Sequence, residues 1–175
     1  MLVTDKYKHM LIFQEVGGIF MNKDTPGSRG RCHCTALRKA SRRISQLYDA
    51  TLAPSGLKVT QRAILVQISR SETATVGELA EAMVMDAGGL AHTLKPLVRD
   101  GLVTIGRDPD DRRSRSIRLT PAGKAKLKQS DALWEKAQQG FEKQIGRSQA
   151  KALHDVVGLL IAAGFTEKFE AAVDE

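Results

Sequence analysis

The sequence is poor in aromatic residues, in cysteine and in long hydrophobic runs. Its 175 residues include five Phe, two Tyr, one Trp and two Cys. Leu and Ala dominate the apolar residues, which favours helices over a β-sandwich. No apolar run reaches the roughly 18 residues that a membrane span requires, so we expect no membrane partner. Two cysteines cannot build a secreted disulfide framework, and a reducing cytoplasmic location is expected.

Acidic residues are outnumbered by basic ones. Lys and Arg total 27 against 20 Asp and Glu, which gives a formal net charge of +7. A basic excess in a small chain favours a polyanionic partner. Hydrophobic residues make up 42% of the chain, enough for a core, so we expect a folded chain rather than global disorder. The length suits one domain with helical additions.

Signatures of catalysis are missing. The chain has no Gly-x-Gly-x-x-Gly, no phosphate loop, no His-Glu-x-x-His and no nucleophile paired with a base. Its four histidines are widely spaced along the sequence: His9, His33, His92 and His154. We therefore expect no enzymatic activity, no cofactor and no bound metal.

Residues 1–31 differ in composition from the rest. An apolar patch between Met10 and Met21 precedes a polar stretch with Pro26, Gly27 and Gly30. This order predicts a short amphipathic helix followed by a flexible joint, an N-terminal extension. Met21 is an alternative start, so whether residues 1–20 belong to the native protein stays open.

A helix-turn-helix is predicted in the middle of the chain. Amphipathic spacing indicates a helix over 35–52 and a second one after Thr60. Thr75 and Glu78 have the spacing of a capping box for a helix over 76–83. Asp86 can cap a third helix after a tight turn, and Gly101 can end it in the left-handed conformation. Two short helices joined by such a turn form the motif.

Two strands and long helices follow. Apolar residues at 102–105 and 117–119 predict a β-hairpin with an Arg-rich tip, so the chain order is that of a winged helix. Thr120 and Pro121 open a helix to Ile145, and Ser148 can cap a last helix reaching Phe165. The flanking helices have more apolar surface than so small a core can cover, which indicates a homodimer.

The predicted fold class is mainly α with a small β-hairpin wing, and the flanking helices form a dimerisation region. We expect four segments in chain order: an extension at 1–31, an N-terminal dimerisation helix at 32–56, the winged helix-turn-helix at 57–119, and C-terminal dimerisation helices with a tail at 120–175.

Four stretches resemble the MarR family of bacterial transcriptional regulators. They are Leu57-Lys-Val-Thr-Gln-Arg-Ala-Ile-Leu65, Val76-Gly-Glu-Leu-Ala-Glu-Ala-Met83, Leu97-Val-Arg-Asp-Gly-Leu-Val103, and Asp108-Pro-Asp-Asp-Arg-Arg-Ser-Arg-Ser-Ile-Arg-Leu-Thr-Pro-Ala-Gly-Lys124. The resemblance covers about residues 34–165 and implies a dimeric winged helix that binds double-stranded DNA. It further implies a repressor on a pseudo-palindromic operator, often released by a small ligand or by oxidation.

The resemblance also implies roles for wing residues. Asp111 and Arg113 match the family's Asp-x-Arg pair, in which the carboxylate orients the arginine towards the minor groove. A weakly hydrated guanidinium favours the negative potential of a narrow minor groove. We expect Arg112 and Arg115 to contact phosphates. The alternative is a solvated hairpin whose carboxylates and arginines form salt bridges.

The predicted recognition helix departs from the family pattern. Gly88 and Gly89 stand where the family has hydroxyl residues, and glycine side chains cannot hydrogen-bond to bases. We place Asp86, Gly88, Gly89, His92, Thr93 and Lys95 at the DNA, with Pro96 expected to bend the helix. Thin direct readout keeps an alternative open: a regulator-like protein with weakened sequence reading that acts as an interaction or ligand-binding module.

Two further sets of residues are candidates for effector response. Cys32 and Cys34 fit a redox switch, part of a zinc site shared across a dimer, a ligand-pocket lining, or plain packing. A small-molecule effector pocket would involve Arg42, Tyr48, Gln61 and Trp134, where Arg42 favours a carboxylate such as that of an aromatic acid. Plain core packing is the alternative for Tyr48 and Trp134.

Overall fold

A computed structural model describes residues 32–71, 74–107 and 115–174. The chain divides into two compact units, residues 1–40 and 41–175. The first unit contributes its described residues 32–40, where α1 begins. The elements are α1 (His33–Leu52), a 3₁₀ turn (Ala53–Ser55), α2 (Val59–Ser71), β1 (Ala74–Thr75), α3 (Val76–Ala82), α4 (Ala87–Arg99), β2 (Val103–Arg107), β3 (Arg115–Leu119), α5 (Pro121–Ile145), α6 (Arg147–Ile161) and α7 (Phe165–Val173).

The predicted helix starts of the helix-turn-helix and of α5 are confirmed. Thr75 and Glu78 form a complete capping box at α3, so two backbone N–H groups that lack helical partners are satisfied. The Asp86 carboxylate accepts from the Gly89 N–H at 2.8 Å and caps α4. Thr120 caps α5 by accepting from the Gly123 N–H at 2.9 Å. Local sequence thus sets where these helices begin.

The predicted hairpin is confirmed and belongs to a three-stranded antiparallel sheet. The strand order is β1-β3-β2, and the register pairs Ile105 with Ile117. The two-residue strand β1 pairs Ala74 with Ile117 and was not predicted, because so short a segment has no alternation to detect. It ties the start of α3 to the hairpin.

One core joins α2, α3, α4 and the sheet. Its buried side chains come from every element of the winged helix: Leu57, Ile64, Leu65, Ile68, Ala74, Leu79, Leu90, Leu94, Leu97, Leu102, Val103 and Ile117. Burying an aliphatic side chain of this size stabilises a fold by about 1.5–3 kcal/mol. The core therefore fixes α4 against the hairpin.

The end of α4 is connected to the start of α5 through backbone contacts. Gly101 adopts φ +68°, and the N–H groups of Gly101 and Leu102 bond to the carbonyls of Val98 and Leu97, a Schellman motif. The Thr120 hydroxyl then donates to the Gly101 carbonyl at 2.7 Å. This contact holds the end of α4 against the start of α5.

The C-terminal helices differ from the prediction. Helix α6 begins at Arg147, and the Ser148 hydroxyl bonds to the Gln149 side chain rather than capping the helix, so the predicted Ser148 cap is wrong. The predicted single helix also breaks at Ala162–Gly164 and continues as α7, because Gly164 adopts φ +83°. No helix in the described ranges is long and apolar enough to cross a bilayer.

Candidate nucleic-acid interface

Helix α4 presents one continuous exposed stripe. Leu90, Leu94 and Leu97 are buried in the core. The exposed positions follow the helical repeat on the opposite face: Ala87, Gly88, Ala91, His92, Lys95, Val98 and Arg99. Apart from His92, the first two turns of this stripe carry small side chains, and the last turns carry the cations Lys95 and Arg99. Such a helix can approach a polyanion closely at its N-terminal end.

Three polar side chains of α4 were predicted to reach DNA, and the structure distinguishes one that is bonded within the helix from two that are exposed. Thr93 is half-buried, and its hydroxyl donates to the Gly89 carbonyl at 3.0 Å, so it is engaged within the helix. His92 and Lys95 are exposed on the stripe. Of the three side chains, His92 and Lys95 are therefore placed to reach a base edge or a phosphate.

Gly88 and Gly89 make room for the Asp86 cap. A Cβ at Gly88 would lie 3.1 Å from Asp86 Oδ1, and one at Gly89 would lie 3.2 Å from Oδ2. Both distances are tighter than ordinary van der Waals contact. Glycine at these two positions therefore has a structural role apart from any contact with DNA, because it leaves space for the Asp86 carboxylate that caps α4.

The base of the wing concentrates positive charge. Arg107 and Arg115 are exposed and lie directly opposite each other in the β2–β3 register, and Arg118 is exposed on β3. Like charges across a strand pair destabilise it unless an anion lies between them. Three of the wing positions predicted from the sequence, Asp111, Arg112 and Arg113, lie outside the described residues, so their roles stay predictions.

The candidate effector residues all lie on described helices. Tyr48 is buried and its hydroxyl donates to Gln138 Oε1, while burial, followed by the charge of Glu142, raises the pKa of Tyr48. The Gln61 side chain accepts from the Lys58 N–H at 2.9 Å. Arg42 is exposed. These partners give Tyr48 and Gln61 a structural role, and a ligand-binding role stays a prediction.

A buried arginine that the sequence reasoning missed joins α2 to α5. Arg62 is 8% exposed; its Nε donates to Ser130 Oγ at 3.0 Å and its Nη2 to Asp131 Oδ1 at 2.7 Å. Its guanidinium carbon lies 4.8 Å from the centroid of the Trp134 ring. Cation–π contact and two hydrogen bonds compensate its desolvation. Trp134 is therefore engaged by Arg62. The available signal was the position of Arg62 three residues before Leu65 on the buried face.

The two cysteines are exposed and free at the start of α1. Hydrogen bonds from Thr35, first its hydroxyl and then its backbone N–H at 3.4 Å, lower the pKa of the Cys32 thiol. A thiolate is the reactive form of cysteine. Within residues 32–71, 74–107 and 115–174, no group of His, Cys, Asp and Glu side chains is arranged to hold a metal.

The order of helices and strands and the exposed stripe of α4 define a winged helix-turn-helix protein, and comparison with known proteins agrees. A MarR family profile matches residues 55–114. The organic hydroperoxide resistance transcriptional regulator of Bacillus subtilis is 32% identical over 90 residues, which cover 51% of this chain and 61% of the relative. The chain spans about three fifths of the length of the curated relatives it matches.

Solved structures extend the similarity over more of the chain. The M. tuberculosis transcriptional regulator MosR, solved in complex with DNA, is 33% identical with a TM-score of 0.66; the match covers 74% of this chain and 93% of that one. MarR from E. coli shares the fold at 22% identity and a TM-score of 0.62, over 75% of this chain and 98% of that one. The chain belongs to the MarR family. The predicted family and winged-helix fold are confirmed, and the relatives are transcriptional regulators rather than enzymes.

Proposed function

We propose that the protein is a transcriptional repressor that binds a pseudo-palindromic DNA operator as a homodimer. In this proposal α4 enters the major groove and the wing enters the adjacent minor groove, with residues 57–119 as the DNA-binding domain. The observation that carries the proposal is the exposed stripe of α4, which ends in cations beside the opposed Arg107 and Arg115. The 33%-identical M. tuberculosis regulator, solved in complex with DNA, supports DNA as the partner.

The proposed dimer rests on exposed apolar side chains in the C-terminal helices. Large hydrophobic residues of α6 and α7 are exposed in the single chain: Leu153, Val156, Leu159, Ile161, Phe165, Phe169 and Val173. Contiguous apolar surface of this kind marks an interface in soluble proteins. A second copy placed there positions two recognition helices in successive major grooves, about 34–36 Å apart. Leu159→Asp should lower the sedimentation-derived mass towards that of one chain.

Release from DNA by thiol oxidation is proposed from the chemistry of Cys32. The thiolate attacks the outer oxygen of a hydroperoxide, the O–O bond breaks, and Cys32 becomes a sulfenic acid while the alcohol leaves with a proton from water. The B. subtilis relative, named for organic hydroperoxide resistance, supports this class of oxidant. Release by an aromatic acid at Arg42, Tyr48, Gln61 and Trp134 is the other route.

A second candidate function has one specific observation in its favour. The outward positions of the first two turns of α4 are small apart from His92, and the Thr93 hydroxyl is engaged by Gly89. This arrangement suits a protein that grips DNA without strong base discrimination and acts as an interaction or ligand-binding module.

One experiment separates the two functions. The full chain is titrated against the DNA upstream of its own gene and against a scrambled duplex of equal length, followed by fluorescence anisotropy. The repressor proposal predicts at least 10³-fold preference for its own site at physiological salt. Equal affinity for both duplexes favours the second function, and no binding at low ionic strength contradicts both. Repeating the titration with cumene hydroperoxide, for wild type and Cys32→Ser, tests release.

A further inference from the structure

A groove lies between α4, the start of α3 and the base of the wing. It has a volume of about 930 Å³ and lies within the second compact unit. The core places its walls, because Leu90 and Leu97 hold α4 against Ile117 of the sheet on the other side. The groove is continuous with the exposed stripe of α4, since Ala91, Lys95, Val98 and Arg99 belong to both.

The floor of the groove is apolar and exposed. Val98 on α4 is 40% exposed and Ile105 on β2 is 39% exposed. Both are β-branched residues that face the groove while the neighbouring Leu94 is buried. Exposing two large apolar side chains next to a complete core is unfavourable in water, so this floor favours an occupant with apolar surface.

The rim of the groove is cationic. Lys95, Arg99 and Arg115 line it, and none of the lining residues that the structure describes carries a carboxylate. Arg99 pairs with Asp100, which lies outside the lining, at 2.8 Å between Nε and Oδ1. An exposed pair of this kind is worth little, so Arg99 can exchange Asp100 for another anion at small cost. The occupant must therefore combine apolar surface with negative charge.

We propose that this groove seats one sugar–phosphate strand of the bound duplex. The inference rests on the proposed function, in which α4 enters the major groove and the wing enters the adjacent minor groove. One DNA strand separates these two grooves, so that strand must pass between α4 and the wing. Deoxyribose faces pack on Val98 and Ile105, and phosphates pair with Lys95, Arg99 and Arg115. Arg99 is then a DNA-contacting residue that the sequence analysis did not include.

Salt dependence distinguishes the two kinds of contact. Removing one phosphate contact should reduce the slope of log K against log salt by about 0.9, because one fewer counterion is released. Removing an apolar contact should lower affinity at every salt concentration and leave the slope unchanged. Loss of one buried methyl corresponds to about a fourfold weaker complex.

The test uses the full chain and a duplex that the protein selects from a randomised library. A random duplex of equal length serves as well, because contacts to the sugar–phosphate strand do not depend on the base sequence. Val98→Thr replaces one methyl with a hydroxyl and keeps the shape of the side chain, whereas Ile105→Thr also loses the terminal methyl; both remove apolar surface. Val98→Thr should weaken binding about fourfold and Ile105→Thr by more than about fourfold, each with an unchanged slope. Arg99→Gln should reduce the slope. Val66→Thr, an equally shape-preserving change at a half-buried position of α2, outside the groove and outside the apolar face of α6 and α7, is the matched control and should leave binding unchanged.

Several outcomes overturn the proposal. If wild type binds the duplex and the Val98→Thr/Ile105→Thr double variant binds equally well, the strand runs elsewhere while the proposed function stands. If that variant changes the sedimentation-derived mass and leaves DNA affinity intact, the groove is an interface between copies. If wild type binds no duplex, the proposed function fails as well. Val98→Ala and Ile105→Ala replace the threonine variants if thermal unfolding shows that these do not fold.

Discussion

Replacing Gly123 with alanine tests the contact that joins α5 to the wing. Alanine stabilises a helix by about 1 kcal/mol relative to glycine. At Gly123, however, the new Cβ would lie 2.0 Å from the Leu102 carbonyl oxygen and 3.0 Å from its carbon. These are backbone atoms, and the oxygen accepts a hydrogen bond from the Thr120 N–H at 3.1 Å. Forcing such a contact costs about 1–3 kcal/mol, and loss of the hydrogen bond about 1 kcal/mol. The clash exceeds the gain, and we expect a net loss of about 2 kcal/mol.

Urea unfolding at one fixed protein concentration, followed by Trp134 fluorescence, measures this free energy of unfolding. Gly140→Ala is the matched control on the same helix, because a Cβ there meets nothing within 4 Å. It should stabilise the protein by about 1 kcal/mol. The two substitutions therefore have opposite predicted signs. If Gly123→Ala stabilises the protein as Gly140→Ala does, the reasoning about the α5–wing contact is refuted.

Three other substitutions test separate parts of the structure. Arg62→Met should lower the free energy of unfolding, measured by urea titration, by about 2 kcal/mol, because it removes two hydrogen bonds and a cation–π contact. An unchanged free energy of unfolding would show that these contacts do not stabilise the fold. Val84→Gly should raise the free energy of unfolding by about 0.5–1 kcal/mol, because Val84 is 72% exposed and has φ +50°, a backbone conformation that strains a β-branched residue. A lower free energy of unfolding would show that Val84 is not strained. In a Cys34→Ser background, Thr35→Val should move the pH midpoint of Cys32 alkylation upward, because the Thr35 hydroxyl that it removes stabilises the Cys32 thiolate. Thr35→Ser keeps the hydroxyl and is the control. An unchanged midpoint in Thr35→Val would argue against this hydrogen bond.

Much of the winged helix could be predicted from the sequence because its helix ends are encoded locally. Thr75, Asp86 and Thr120 cap helices through side chains three residues from their partners, and Gly101 ends α4 with a positive φ. These interactions depend on spacing alone. The hairpin strands were also found, because apolar residues flank a charged turn.

The features that were missed depend on long-range packing. Arg62 meets Ser130 and Asp131 across 68 and 69 residues of sequence, and no local pattern reveals that pairing. The groove beside α4 combines three elements, so Arg99 had no distinguishing signal beyond its charge. The break before α7 was missed because the apolar spacing continues through Ala162–Gly164, and Gly164 alone marks it.

Hydroxyl-radical footprinting of the full chain on a bound duplex tests the central claim most directly, since it reads which sugars the protein covers. The account predicts two protected patches related by the symmetry of a dimer, about 34–36 Å apart along one face of the duplex. In the Val98→Thr/Ile105→Thr double variant the protection at the strand between major and minor groove should weaken. A duplex that remains uniformly cleaved at low ionic strength, at protein concentrations where wild type is folded, would contradict the claim.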